Sequence, residues 1–305
     1  LVHINMMPRN KQKGLMYATT TAFLWGILPI ALIGVLVTID PFTTTFFRFL
    51  IAAVILTPAL IYKGKLKYRK KYFEKKIILQ FSIAGVLLCI NYALYIFGLN
   101  KTSAEAAQVM MQVAPVCLLL AGVFLFKERF SKMQWLGLII FISGLIMFFS
   151  PRYEDVFTEL NTYGSGLMIL LAAALTWVFY AIFQKTLLKD FSAQETMVVF
   201  YWIGILFFFP LSTFESLVNL TTFQWLLVIF CGLNTLVAYG SFSEALTHIE
   251  ASRVSAILAT TPLITLVFVQ ISPVTVLIPE PLTLTVILGA FFVVTGSIIT
   301  STAKN

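Results

Sequence analysis

Apolar runs of about 18 residues or more, separated by short polar stretches, recur along the whole chain, and each is long enough to cross roughly 30 Å of hydrocarbon as a helix. The pattern predicts ten spans, at about 14–36, 42–62, 75–99, 103–126, 131–149, 164–187, 193–213, 222–247, 252–277 and 282–301. The runs are continuous instead of alternating, which sets aside a barrel of short strands. Little chain is left between them for a soluble domain. Composition agrees, since 59% of the 305 residues are hydrophobic and only 11% are charged. The mean hydropathy of +0.94 lies far above that of soluble domains. The expected fold is an all-α integral membrane protein.

The two halves of the sequence echo each other. At an offset of 152, "KGLMYATTTAFLWGILPI" aligns with "SGLMILLAAALTWVFYAI", pairing Gly14 with Gly166, Trp25 with Trp177 and, further on, Pro58 with Pro210. At an offset of 147, "YALYIFGLNKTSAEAAQVMMQVAP" runs without a gap against "YGSFSEALTHIEASRVSAILATTP", so that Tyr92 meets Tyr239 and Pro115 meets Pro262. The offset then returns to 152 and pairs Glu128 with Glu280, Gly137 with Gly289 and Gly144 with Gly296. A register kept across widely spaced pairs reads as a duplication. Each copy holds five spans, an odd number, so the second must enter from the opposite side of the membrane. Inverted repeats offer two nearly equivalent conformations, with a substrate site at the midplane where they meet. The expected organisation is a cytoplasmic leader at 1–13, a first repeat at 14–150, an external linker at 151–163, a second repeat at 164–301 and a cytoplasmic tail at 302–305.

The net charge of +8 changes the picture only through its placement. With the N-terminus cytoplasmic, eighteen of the 21 Lys and Arg face the cytoplasm, among them those of "RNKQK", "KGKLKYRKKYFEKK" and "KERFSK". Only Lys101 and Arg152 fall outside, and Arg48 lies within the second span. The positive-inside rule therefore predicts both termini in the cytoplasm of a plasma or inner-membrane protein. The same loops suit anionic lipid and give no reason to invoke nucleic acid. Cys89, Cys117 and Cys231 all fall inside spans and read as small apolar fillers, not as a metal site or disulfide set. No nucleotide-binding or hydrolase motif is present, and no cofactor or metal is expected. An enzyme would need a reactive cluster, and His3 and His248 are the only histidines.

The order of "FLWG", "FFRFLIAAVIL", "YIFGLNKTSAEAAQVMMQVAPV" and "FKERFSKMQWLGLIIFISGLIM", with the echoes "ASRVSAILATTPLIT" and "PEPLTLTVILGAFFVVTGSII", resembles the EamA-type transporters of the drug/metabolite transporter superfamily. The resemblance covers nearly the whole chain. It implies ten helices in two five-helix repeats and secondary active transport of a small organic metabolite by a monomer or homodimer. Within it, efflux of an amino acid or related metabolite, driven by a proton gradient or by exchange, is the leading reading. Import of a nucleotide-like or methyl-donor metabolite is the alternative. From outside the family, a non-transporting scaffold is the rival. The stretch "VQISPVTVLIPEPLT" departs from the pattern by five extra residues and added prolines, which leaves the end of the ninth span open.

Gln108 and Gln112 sit one turn apart on one face of the fourth span, with Met111 beside them. A primary amide in hydrocarbon is costly, so both must face protein or water, either gluing helices together or binding a ligand. Their repeat mates, Ser255 and Ala259, are small or polar, which favours an open space. Asn91 and Tyr95 share a face of the third span, and Asn234, Tyr239 and Ser241 lie in the eighth; each buried amide or phenol needs a partner, which helix packing can supply as readily as a substrate. Trp25 and Trp177 are mates placed mid-span, away from the interfacial belts that tryptophan favours; they are either bulky core packing or, with Tyr180, an aromatic wall that could stack on a planar substrate or cradle a cation. Glu244 and Arg48 are coupling or gating candidates. Glu244 either titrates in a buried setting or reaches water near His248 and Arg253. Arg48, at a position commonly basic in the resembled family, needs carbonyls or an acid such as Asp40 and is expected to serve structure or gating rather than substrate contact. Glu128 and Glu280 are expected to brace turns. The glycines at 137, 144, 289 and 296, spaced by seven, would let two helices approach closely.

Overall fold

The computed structural model describes residues 10–66, 70–117, 131–154, 162–249, 251–277 and 279–303. The regular structure in these segments is helical. In order come α1 (Lys11–Leu36), α2 (Pro41–Tyr62), α3 (Lys75–Leu99), α4 (Ala104–Met111), α5 (Lys132–Phe149), α6 (Tyr163–Leu187), α7 (Ala193–Phe208), α8 (Thr222–His248), α9 (Ala251–Leu258), α10 (Thr261–Gln270) and α11 (Leu284–Thr302). Counting α9 and α10 as one interrupted span, nine helices among the described residues are long and apolar enough to cross a membrane. The fourth expected span is described only to residue 117.

Helix starts are written in the sequence. Asp40 caps α2 by accepting from the amides of Phe42 and Thr43 at 2.8 and 3.0 Å, with Pro41 as the first helical residue, where its missing N–H is not needed. Ser131 with Gln134, Ser192 with Glu195 and Thr221 with Gln224 form reciprocal capping boxes at α5, α7 and α8. The outer surface is apolar, with Ile61, Ile146, Met168, Leu206 and Phe291 among its exposed side chains. Polar groups such as Arg48, Asn91, Gln108 and Gln112 are buried inside. This is the distribution expected of a protein solvated by lipid.

Two spans are broken in the middle. The fourth, expected as one continuous helix, ends α4 at Met111 and resumes at residues 113–117. The ninth ends α9 at Leu258 and restarts as α10 at Thr261. The cause is the same in both: Pro115 and Pro262 have no N–H to donate, and their rings clash with the carbonyls of Met111 and Leu258 four residues earlier. The ninth span also stops at Gln270 instead of 277. Residues 271–277 carry Pro273 and run as turns and irregular chain.

The principal helix contacts pair α5 with α11, α3 with α6, α1 with α8 and α2 with α7. All four pairs run antiparallel. Gly137 lies against Thr300 while Gly144 lies against Val293; Gly98 lies against Gly166 while Asn91 reaches Ala173. Gly14 meets Ile249 while Gly34 meets Leu227, and Gly204 meets Phe49 while Trp202 bonds Thr57. At the α5–α11 crossing the four expected glycines do bring two helices together, and Gly296 and Gly289 approach the carbonyls of Gly137 and Gly144. Contacts also recur under the offsets read from sequence. Gly14 rests on Ile249 and His248, and Gly166 rests on their mates Thr102 and Lys101.

Candidate functional site

A cavity of about 180 Å³ lies among these helices, lined by residues of α1, α2, α3, α4, α6, α8 and α9 and by the breaks in the fourth and ninth spans. Trp25 and Leu28 come from α1; Asn91, Tyr92 and Tyr95 from α3; Gln108 and Met111 from α4. Gln112, Ala114 and Pro115 come from the first break, Leu258, Ala259 and Thr261 from the second. Trp177, Tyr239, Phe242, Ser255 and Arg48 complete the wall.

The two glutamines face this cavity and also hold its wall together. Gln108 donates its amide to the carbonyl of Trp25 at 2.7 Å, and Gln112 donates to the hydroxyl of Thr261 at 3.1 Å. The second bond ties one broken span to the other at their interruptions. Asn91 likewise donates to the carbonyl of Ala173 at 2.8 Å, joining α3 to α6. These amides therefore act as glue between helices, and the Gln112 oxygen also accepts from the hydroxyl of Ser297 at 3.5 Å, while both glutamines line the cavity.

Aromatic rings form the opposing surface. Trp25 meets Tyr239 edge to face with centroids 5.3 Å apart, and Tyr239 stacks on its repeat mate Tyr92 at 6.4 Å. Trp177 lines the same cavity. Tyr180 does not: it is buried between helices, with its hydroxyl 3.8 Å from the sulfur of Met197 and its ring packed edge-on against Phe200. The aromatic wall extends to Tyr92 and Phe242 instead, because the residue one turn beyond Trp177 points into the α6–α7 contact. Ser241 is buried outside the lining, and Glu244 is half-buried near the end of α8, also outside it. Asn234 bonds the carbonyl of Leu24 at 2.6 Å and joins α8 to α1.

Arg48 departs from expectation. It does not pair with Asp40, whose carboxylate caps α2 and accepts from the hydroxyls of Thr43 and Thr213. Burial of Asp40 pushes its pKa up, but these hydrogen bonds together outweigh it and hold the group below its ordinary range. Arg48 instead turns into the cavity, only 3% exposed, with Nε donating to the hydroxyl of Thr235 at 3.2 Å and its guanidinium 4.5 Å above the ring of Tyr92. Among the described residues it has no carboxylate partner, and the hydroxyls of Tyr92 and Tyr95 have no hydrogen-bond partner. The repeat alignment had marked Tyr92 by pairing it with Tyr239. Thr261 was legible only as the residue before Pro262.

A second polar cluster gathers around Glu280, where the ends of several helices meet. Buried Glu280 accepts from the hydroxyls of Ser103 and Tyr163, each at 2.7 Å, and from Nε of Arg152 at 2.6 Å. Its own amide donates to Oε1 of Glu105 at 3.1 Å. Glu280 thus braces more than a turn, since it gathers the starts of α4 and α6, the end of α5 and the approach to α11. Its mate Glu128 lies outside the described residues. The described residues hold no cluster of His, Cys, Asp and Glu able to bind a metal.

Comparison with known proteins agrees with this architecture. The chain is 36% identical over 289 residues to the uncharacterized inner membrane transporter YhbE of Escherichia coli (strain K12), covering 93% of this chain and 89% of that one. It is 35% identical over 292 residues to an uncharacterized transporter of Haemophilus influenzae, covering 94% of each. A crystal structure superposes with a TM-score of 0.63 at 14% identity, covering 95% of this chain and 98% of the other, which speaks to fold alone. The EamA-like transporter family matches twice, over residues 12–150 and 164–302. The chain belongs to the EamA-like transporter family and is built from two copies of its repeat.

Proposed function

We propose that this protein is a secondary transporter of the inner membrane that moves a small organic metabolite, an amino acid or a related compound, by alternating access between two inverted five-helix repeats. The observation that carries the reading is the cavity, which lies where the two halves meet and is walled by residues mated across them. Trp25 and Trp177, Tyr92 and Tyr239, Gln108 and Ser255, and Gln112 and Ala259 all line it. Antiparallel packing of α5 on α11 and of α2 on α7, each a helix against its own mate, supports inversion about an axis in the membrane plane. The paired breaks at Pro115 and Pro262 support a midplane site, as discontinuous helices do in transporters. The name of the Escherichia coli relative and the basic loops near the N-terminal end support an inner-membrane location with both termini inside.

The cavity of about 180 Å³ is small beside ligand pockets of about 300–1,000 Å³, which favours a small metabolite over a nucleotide-like or methyl-donor one. Neither a carboxylate nor a histidine appears among its described lining residues, which favours exchange, or a proton carried on the substrate, over a proton carrier in the wall. In this reading the Glu280 cluster supplies the closure at one end that alternating access requires, and efflux is taken from the family reading, since importers and exporters visit the same closed state.

The test is counterflow by purified protein in liposomes across a metabolite panel, with and without a pH gradient. Wild-type protein is expected to exchange at least one solute, and Trp25→Ala and Gln112→Leu are expected to slow that exchange at unchanged expression. Wild-type rates in both variants would put the path elsewhere. No movement of any solute by correctly inserted protein would favour the scaffold.

A further inference from the structure

We infer that Arg48 is the anchor for a carboxylate on the transported molecule, so that the substrates are small organic acids with one negative charge and an apolar or aromatic body. This rests on the cavity being the transport site. Arg48 is the one charged residue among the described residues of the cavity wall. A guanidinium offers five N–H donors in a planar fork that matches a carboxylate edge. Here Nε is spent on Thr235 and one face of the fork lies over Tyr92, while no acid among the described residues neutralises the charge. A buried cation without an anion is tolerated only where water or a ligand solvates it, and this one lines open space within the bundle.

Charge balance narrows the ligand. A monoanion makes the loaded cavity neutral, which is the state that crosses a low-dielectric interior at least cost. A dianion such as phosphate leaves a net negative charge that nothing else in the wall offsets. A simple amine would face the guanidinium with no acid to receive it. A zwitterion leaves the loaded cavity with a net positive charge and so ranks below a monoanion; its carboxylate can still meet Arg48 while its ammonium lies on the faces of Trp25 or Trp177. The unpartnered hydroxyl of Tyr95, buried in the same wall, supplies a further donor on that side.

The experiment measures binding to the full-length protein in detergent by quenching of tryptophan fluorescence. The probes are monocarboxylates and amino acids of graded size, each beside its primary amide and the corresponding amine, for example phenylacetate, phenylacetamide and phenethylamine, with inorganic phosphate as a further arm. At least one acid is expected to bind about ten- to a hundredfold more tightly than its amide, the range of a charge-assisted hydrogen bond. Arg48→Gln is expected to abolish that preference and Arg48→Lys to keep part of it. Equal binding of every acid and its amide overturns the proposal, as does an unchanged preference in Arg48→Gln or strongest binding by phosphate. If Arg48→Gln is not monodisperse, the wild-type pairs and Arg48→Lys decide. Counterflow in liposomes separates this inference from the one beneath it. Acids that bind selectively but never exchange would sink transport and leave the anchor, whereas amides exchanged as fast as acids would sink the anchor and leave transport.

Discussion

Replacing Gly289 by alanine perturbs the contact on which the two halves are joined. A Cβ there would stand 2.4 Å from the backbone nitrogen of Phe148, 2.7 Å from its Cα and 2.9 Å from the carbonyl of Gly144. These are backbone atoms of the opposing helix and cannot rotate away. Restoring an ordinary 3.4 Å contact requires α5 and α11 to separate by about 1 Å, which strips dispersion contacts from the whole crossing. Overpacking of this kind costs about 1–3 kcal/mol, against a gain of about 1 kcal/mol from alanine's better helix propensity, for a net loss of about 0–2 kcal/mol centred on about 1 kcal/mol. Gly240 in α8 is the control, since an added Cβ there meets no heavy atom within 4 Å. Gly240→Ala should gain about 0.5–1 kcal/mol. Followed by tryptophan fluorescence on heating in detergent, Gly289→Ala should melt about 2–4 °C below wild type and Gly240→Ala at or above it. A midpoint for Gly289→Ala equal to that of Gly240→Ala would refute the claim that backbone contact between α5 and α11 sets their spacing.

Glu280→Ala removes the acceptor shared by Ser103, Tyr163 and Arg152, so that end of the bundle should open more often; a cysteine substituted for Ser103, now 4% exposed, should react faster with an impermeant maleimide, and an unchanged rate would deny the cluster a closing role. Asp40→Ala removes a helix cap and should cost about 1 kcal/mol at neutral pH. Because the folded pKa of Asp40 lies below the ordinary 3.8, its contribution is complete above that value and fades as pH falls through the folded pKa; melting curves of wild type and Asp40→Ala should therefore converge in acid, and a constant gap down to the lowest pH would contradict it. Gln108→Leu strands the carbonyl of Trp25 and should lower the melting midpoint more than Met111→Leu, a near volume-conserving change in the same wall.

The membrane class, the helical spans, the duplication and most of the cavity wall were legible in the sequence. They rest on patterns local to one helix or repeated between halves: apolar runs long enough for a bilayer, caps such as Ser192 with Glu195, prolines that interrupt a helix four residues back, and glycines spaced by seven. Trp25 and Trp177 could be placed together because duplication carries one position onto the other. Only the tertiary structure decided which of two faces a side chain presents and which partner it meets. Tyr180 follows Trp177 by three residues, a spacing that nominally shares a face, yet the roughly 60° between them turns its ring against Phe200 and its hydroxyl toward Met197. Asp40 and Arg48 looked like partners by proximity in sequence, yet the carboxylate is held at the helix start while the guanidinium lies two turns along and turns inward toward Thr235 and Tyr92. The gathering of Ser103, Glu105, Arg152 and Tyr163 around Glu280 joins segments up to 177 residues apart. Such long-range polar contacts leave no periodic trace, because hydrogen bonds between distant segments depend on how the helices cross and not on the spacing of residues along any one of them.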